Sequence, residues 1–494
     1  MKTKSIKINA VLNIIRQCCN IVFPLVIYSY VSTTLGSTNF GKYNFADSIV
    51  VVFMILSAIG IPTYAIREGA RIRSNGEDIS LFAAEVFTIN IITLLFFGII
   101  LVLCTLTVPR MQNNCLLICI LAINMVTNIL GRDWINTIYE DYRYTAFRYV
   151  LFQIIGIVLV FLFIKKETDY YLYAIIMVIA NSGGYILNFF YTQKYIPIKL
   201  TKHINIKKHI KPILYLFGVT LAIQIYVKSD IIILGFLQSD SEIGTYSEVG
   251  IYSLASKVYI IIKALLNAVI AVAIPRLSSY LGENRKDDYK RLLEQLKSTM
   301  SILVFPCAVG LFFESKNVLL LLGGEEYVPG YKALRILCFA LLFAVFGCLY
   351  SQAILIPNRC DKAFFLATIV AAFLNIVLNI ILIPCFGMDG AAVTTVIAEL
   401  LVAIICMLNS KNLYSKKAHM NKESFSVFIG CGAISIICFL FDLIIQNDRI
   451  QLISSISISG FVYIIVLILF KNPIAINYIS KCKETVNSFF NRIS

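Results

Sequence analysis

Charge is scarce in this chain: only 14% of its 494 residues are Asp, Glu, Lys or Arg, while 59% are hydrophobic. A soluble globule of that size could not cover itself with so little polar surface, so lipid has to be the solvent. Histidine is scarcer still. His203, His209 and His419 are the full complement, and all three fall in expected cytoplasmic loops, which argues against a histidine proton relay across a bilayer. Cysteine is more plentiful, at 14. Most cysteines, the adjacent Cys18 and Cys19 among them, sit in apolar stretches where they behave as small hydrophobes, and they show neither metal-ligand spacing nor a disulfide framework. No complete Gly-x-x-x-x-Gly-Lys-Ser/Thr motif occurs, since the run Gly36-Ser-Thr-Asn-Phe-Gly41-Lys42 is followed by Tyr43, so nucleotide hydrolysis of the Walker type is not encoded. No cofactor and no metal are expected.

What remains is apolar sequence in long runs. The hydropathy predicts an all-α polytopic membrane protein of about 14 transmembrane helices of roughly 22 residues each, which together use about 310 residues and leave only short connectors. The first run, 10–34, is too long for a signal-peptide core and lacks a small-residue cleavage site, so it is expected to stay as the first helix. About thirty of the 43 Lys and Arg residues fall in one alternate set of connectors and about five in the other, which predicts both termini in the cytoplasm. The net charge of +15 is then an orientation signal rather than a nucleic-acid footprint, and no nucleic-acid partner is expected. On the opposite side the connectors 237–247, 323–331 and 384–389 hold no Lys or Arg and are short. That leaves little room for catalytic groups, so a membrane glycosyltransferase of the polymerase or ligase kind is disfavoured and no enzyme activity is expected.

An internal echo organises the chain. Gly41-Lys-Tyr43-Asn-Phe-Ala46 opens the second helix and Gly250-Ile-Tyr252-Ser-Leu-Ala255 the eighth, each after a Leu-Gly pair and each followed by a proline, Pro62 and Pro275, at the far end. An even spacing of six helices gives the copies one orientation, the mark of parallel repeats about an axis along the membrane normal. The expected division is an N-terminal lobe over 1–200 with helices 1–6, a C-terminal lobe over 201–411 with helices 7–12, and, over 412–494, an appended helix pair near 424–445 and 451–470 followed by a cytoplasmic tail.

These motifs, with Ile274-Pro275-Arg276-Leu277-Ser278 and Gly323-Gly-Glu-Glu-Tyr327, resemble the polysaccharide-transporter family of bacterial flippases. The most specific stretch is Asn375-Ile-Val-Leu-Asn379, continuing through Pro384, Gly387, Gly390 and Ala392, which is similar to the family's hairpin between helices 11 and 12. The resemblance covers roughly residues 1–410. It implies the superfamily shared with drug and toxin extruders of the MATE type and with the lipid II flippase, and two six-helix lobes alternating in access. The implied function is translocation of undecaprenyl-pyrophosphate-linked oligosaccharide from the cytoplasmic to the periplasmic leaflet of the bacterial inner membrane, for O-antigen or other surface polysaccharide. Membrane lipids are implied partners, as are polysaccharide polymerase and assembly proteins. The alternative within the same fold is a cation-coupled extruder of small drugs.

Ionisable residues inside the apolar runs are the candidate site, because each costs on the order of 3 kcal/mol at the bilayer centre and must face protein or water. Arg16 lies in helix 1, Lys228 and Asp230 in helix 7, and Lys257 and Lys263 in helix 8. In similar flippases basic lumenal residues attract a pyrophosphate head group, and the expected substrate ligands are Arg16, Lys228, Lys257 and Lys263. Lys257 and Lys263, six residues apart, sit about 120° apart on a helix and need not share one cavity. The bland alternative is internal pairing, with Asp47, Glu85, Asp133 or Glu399 neutralising these cations. Asp230 and Glu399 are expected to serve either ion coupling or structure. Arg132-Asp133 reads as a helix-end pair, and Asn375, Asn379, Pro384 and Gly387 read as packing and turn residues.

Overall fold

The computed structural model describes residues 6–76, 78–197, 200–202, 205–237, 245–411, 413 and 422–477, and among them there are helices and turns but no strand. The first helix, α1 (Ile6–Ala58), has 53 residues, more than twice the roughly 20 needed to cross a bilayer. It is divided at Gly36, whose φ of 71° and ψ of 166° belong to glycine's own territory. Ile59 and Gly60, both at positive φ, turn the chain into α2 (Ile61–Ser74), where Pro62 occupies the first turn, the place where a missing N–H costs nothing. There follow α3 (Ser80–Thr107), the short α4 (Pro109–Gln112), α5 (Cys115–Gly131), the short α6 (Asp133–Ile138), α7 (Tyr142–Phe163), α8 (Tyr170–Tyr191) and α9 (Ile206–Leu237). Next come α10 (Thr245–Gly282), α11 (Lys286–Gly323), α12 (Tyr331–Cys348) running into a π-helical turn at Leu349–Leu355, α13 (Asp361–Ser410), α14 (Lys422–Ile444) and α15 (Asp448–Leu469). Like α1, α13 is twice a membrane span, and it is divided at Gly387 with φ 54° and ψ −132°.

Eleven helical runs among the described residues are long and apolar enough to cross a membrane, and the protein is a multi-pass membrane protein. The side chains on α3 show how such a helix meets its solvent. Leu95, Phe96, Ile99 and Leu106 lie exposed, a face that only lipid can cover, while Phe82, Ala83, Val86 and Leu94 are buried.

The chain forms two compact units, one of Met1–Ser253 with Asn379–Gly387, the other of Leu254–Leu378 with Met388–Ser494. In the first, α1 packs against α3, α5, α7 and α9, and α5 against α8. Its tightest point is the crossing of α1 with the first turns of α10. A Cβ on Gly41 would lie 1.7 Å from the carbonyl oxygen of Tyr246, and one on Gly250 would lie 2.0 Å from that of Ser37. The hydroxyls of Ser37 and Ser247 meet there at 2.6 Å. The two glycines of the sequence echo therefore face each other, and only residues without a side chain permit backbones so close.

In the second unit α11 packs against α12, α14 and α15, so the last two helices, expected as an appendage, share a core with α11. That core holds Val427, Ile434, Cys438, Tyr463 and Leu467, with the Tyr463 hydroxyl donating to the Ile302 carbonyl at 2.8 Å.

The basic stretch from Arg276 to Lys297, which hydropathy leaves as a connector between two apolar spans, is mostly helix. It is interrupted only between α10 and α11, where Arg285 bridges Glu283 and Asp288. Hydropathy reports contact with water, not backbone shape, and this run is rich in Lys, Arg, Leu and Glu, all good helix formers. Asp287 and Asp288 in the first turn of α11 suit its dipole. The Ser279 hydroxyl, ahead of the Arg285 guanidinium, holds the Glu283 carboxyl below the usual carboxylate range.

Candidate functional site

Two of the four expected cationic ligands are engaged by acids that the sequence had named as possible partners. Lys228 on α9 pairs with Asp47 on α1 through an Nζ–Oδ2 distance of 3.2 Å, each side chain about a quarter exposed. Lys263 on α10 pairs with Glu399 on α13, whose Oε1 also accepts from the Tyr259 hydroxyl at 2.8 Å. Lys257 lies half-buried on α10, in the same unit as Lys263. Arg16 belongs to α1, and its side chain is outside the described residues.

Asp230 is buried among polar neighbours from three helices. The Tyr252 hydroxyl gives to Oδ2 at 2.8 Å and the Asn379 amide to Oδ1 at 2.7 Å. These two bonds tie α9 to the start of α10 and the middle of α13 within the first unit. Asn375, one turn before Asn379, donates to the Thr394 hydroxyl at 3.4 Å inside the second unit.

Sequence reasoning missed a polar cavity inside the first unit, about 410 Å³ in volume and walled by α1, α5, α7 and α8. Its electrostatic centre is Arg148. Both oxygens of Asp133 accept from Arg148 Nη2, at 2.7 and 2.8 Å, and Nη1 donates to the Gly184 carbonyl at 3.0 Å. The Asn188 amide adds a bond to Asp133 at 2.9 Å. The helix-end pairing of Arg132 with Asp133 is thus not formed. Adjacent residues cannot face each other, and Arg132, at positive φ between α5 and α6, turns away to bond the Phe189 carbonyl at 2.7 Å and lie over the rings of Phe87 and Phe189. The signal that could have found Arg148 was its own position, an arginine in the apolar run of the fifth helix.

A second correction concerns His209. It is not in a loop but in the first turn of α9, fully buried. Its Nδ1 meets the Tyr64 hydroxyl at 2.8 Å and its Nε2 meets Glu85 at 2.9 Å, joining α2, α3 and α9. His209→Phe is expected to lower stability by about 1–3 kcal/mol by leaving Glu85 short of a buried donor. Thermal unfolding of the detergent-solubilised protein measures it, and an unchanged midpoint would show that the His209 bonds do not hold the three helices together.

Comparison with known proteins gives this architecture its class. Residues 6–281 match the family described as polysaccharide biosynthesis protein. The chain belongs to that family. It is 24% identical over 424 residues to the Escherichia coli (strain K12) protein named "Putative O-antigen transporter", covering 83% of this chain and 97% of the other. It is also 24% identical over 400 residues to the capsular polysaccharide biosynthesis protein CapF of Staphylococcus aureus, covering 80% of this chain and 95% of the other. In fold it is similar to the lipid II flippase MurJ in its inward closed conformation, with a TM-score of 0.73 and 18% identity over 94% of this chain and 99% of that one.

Proposed function

We propose that the protein is a flippase, carrying undecaprenyl-pyrophosphate-linked oligosaccharide from the cytoplasmic to the periplasmic leaflet of a bacterial inner membrane by alternating access. It crosses about 14 times with both termini cytoplasmic, in keeping with the distribution of its basic residues. The sequence division at 200 and 411 into two lobes and an appended pair belongs to the same proposal, as do polymerase and assembly partners. The observation that carries the reading is the retention of basic side chains within apolar helices of a chain from the polysaccharide biosynthesis family. The names of the relatives, an O-antigen transporter and a capsular polysaccharide protein among them, point the same way.

Arg16, Lys228, Lys257 and Lys263 are the proposed ligands of the pyrophosphate. Arginine offers a fork and lysine a point charge to phosphate oxygens, and Lys228 and Lys263 would exchange a carboxylate for the substrate. Glu399 then acts as the resting partner of Lys263, and Asp230 as a structural acceptor or an ion-coupling group. Outward movement of an anionic head group from a negative interior is downhill by about 2.3 kcal/mol per charge at 100 mV, so part of the drive is electrical.

Leaflet translocation of a fluorescent polyprenyl-pyrophosphate oligosaccharide in proteoliposomes, with potential imposed in either direction, tests the reading. Protein-dependent movement that responds to potential is expected. Its absence with several sugar heads would shift the assignment to a small-molecule extruder. Arg16→Ala and Lys228→Ala are expected to reduce translocation while protein abundance in the membrane is kept, and wild-type rates in both would remove the charge argument.

A further inference from the structure

The cavity in the first unit has a composition that the pyrophosphate reading does not use. Four helices each present to it residues one turn apart: Asp47 and Val51 on α1, Asn124 and Asn128 on α5, Arg148 and Phe152 on α7, Asn181 and Tyr185 on α8. Its carboxylates are matched by cations, Asp47 by Lys228 and Asp133 by Arg148. With both pairs formed, the cavity has no surplus negative charge for a cationic drug. Its one arginine, already bonded to Asp133 and the Gly184 carbonyl, has no surplus positive charge for a phosphate.

What it does offer is amides and aromatic faces. The carbonyl oxygen of Asn124 accepts from the Ser182 hydroxyl and that of Asn181 accepts from Gln153 at 3.3 Å, which leaves their NH₂ groups as donors beside the carboxylate acceptors. Tyr149, Phe152 and Tyr185 supply rings. Hydroxyl groups, each donor and acceptor at once, are answered by mixed amides and carboxylates, and the C–H face of a sugar ring is answered by an aromatic face. The volume lies within the roughly 300–1,000 Å³ of small-molecule sites.

The geometry points to a saccharide-reading subsite within the first unit that takes an uncharged sugar ring, with Asn124, Asn128 and Asn181 bonding its hydroxyl or acetamido groups and Tyr149, Phe152 and Tyr185 covering its faces. It rests on the flippase reading for its biological substrate, but the binding itself can be measured without transport. Specificity for the sugar is thereby separated from affinity for the pyrophosphate.

The protein carries its own reporter, because its single tryptophan, Trp134, is buried and directly follows Asp133 of the cavity wall. Intrinsic fluorescence and isothermal titration calorimetry are recorded on the purified full chain. The titrants are glucose, galactose, mannose, rhamnose and N-acetylglucosamine, with galacturonate, inorganic pyrophosphate and tetraphenylphosphonium as charged comparators. At least one neutral sugar is expected to bind, the charged probes are not expected to compete with it, and Asn128→Leu and Asn181→Leu are each expected to weaken binding about tenfold, a loss of about 1.4 kcal/mol. Asn181 is exposed, so its leucine variant keeps the fold even if the Asn128 variant does not. No neutral sugar bound in either readout, binding indifferent to both substitutions, or displacement of the bound sugar by a charged probe overturns the subsite. Sugar binding without lipid-linked translocation would overturn the flippase reading alone.

Discussion

Gly41→Ala and Gly250→Ala are each expected to destabilise the first unit by at least about 3 kcal/mol, the upper end of ordinary overpacking, and the leucine variants to leave no monodisperse protein. The reason is that the added carbon meets backbone rather than a side chain that could swing aside. At position 41 it would sit 1.7 Å from the Tyr246 carbonyl oxygen and 2.9 Å from the Gly250 nitrogen, and at position 250 it would sit 2.0 Å from the Ser37 oxygen. Relief requires α1 and the start of α10 to part, which would break the 2.6 Å contact between Ser37 and Ser247 and open the interface beside Phe45 and Tyr246. Gly98→Ala is the control. It lies in the middle of α3, where a Cβ would meet nothing within 4 Å, and it is expected to be neutral or to stabilise by up to about 1 kcal/mol from helix propensity. Size-exclusion profiles and thermal midpoints decide the matter. A Gly41→Ala protein as stable as wild type would mean that the helices are free to separate at this crossing.

That crossing also shows how far sequence reading reached. The Gly-x-Tyr-x-x-Ala echo was legible because small residues at fixed spacing in apolar helices have few other uses. That its two copies touch was not, since a contact between residues 41 and 250 leaves no local trace. The helices themselves were legible because a bilayer imposes a length and a polarity on every span. The helical part of Arg276–Lys297 was not, because charge there reports water and says nothing of backbone. The ion pairs of Lys228 and Lys263 were open to view as a choice among four acids, and only the fold selects Asp47 and Glu399. The polar cavity escaped because asparagine, serine and tyrosine cost too little in a helix to stand out one at a time. His209 escaped because its helix begins only three residues before it, within a basic stretch.

The pair of Lys263 with Glu399 separates a structural from a transporting role for the cations. Glu399 is only 6% exposed and Lys263 is 26% exposed, so removing the lysine strands a buried carboxylate. Lys263→Met is expected to cost about 3–5 kcal/mol, the range for breaking a buried pair by deleting one partner. Combining it with Glu399→Gln removes the stranded charge while an amide oxygen still accepts from the Tyr259 hydroxyl, so most of that stability should return. The double variant then reads function without the confusion of misfolding. If Lys263 meets the pyrophosphate, the double variant translocates the lipid-linked sugar at least about tenfold more slowly, the loss of one contact of about 1.4 kcal/mol. If the pair only holds α10 to α13, the double variant translocates at the wild-type rate, and Lys263 leaves the set of substrate ligands. Glu399→Gln alone sharpens the distinction. It frees the lysine from its carboxylate, so a substrate-binding Lys263 should hold the head group more tightly, and competition by inorganic pyrophosphate should become stronger in that variant and about tenfold weaker than wild type in the double one.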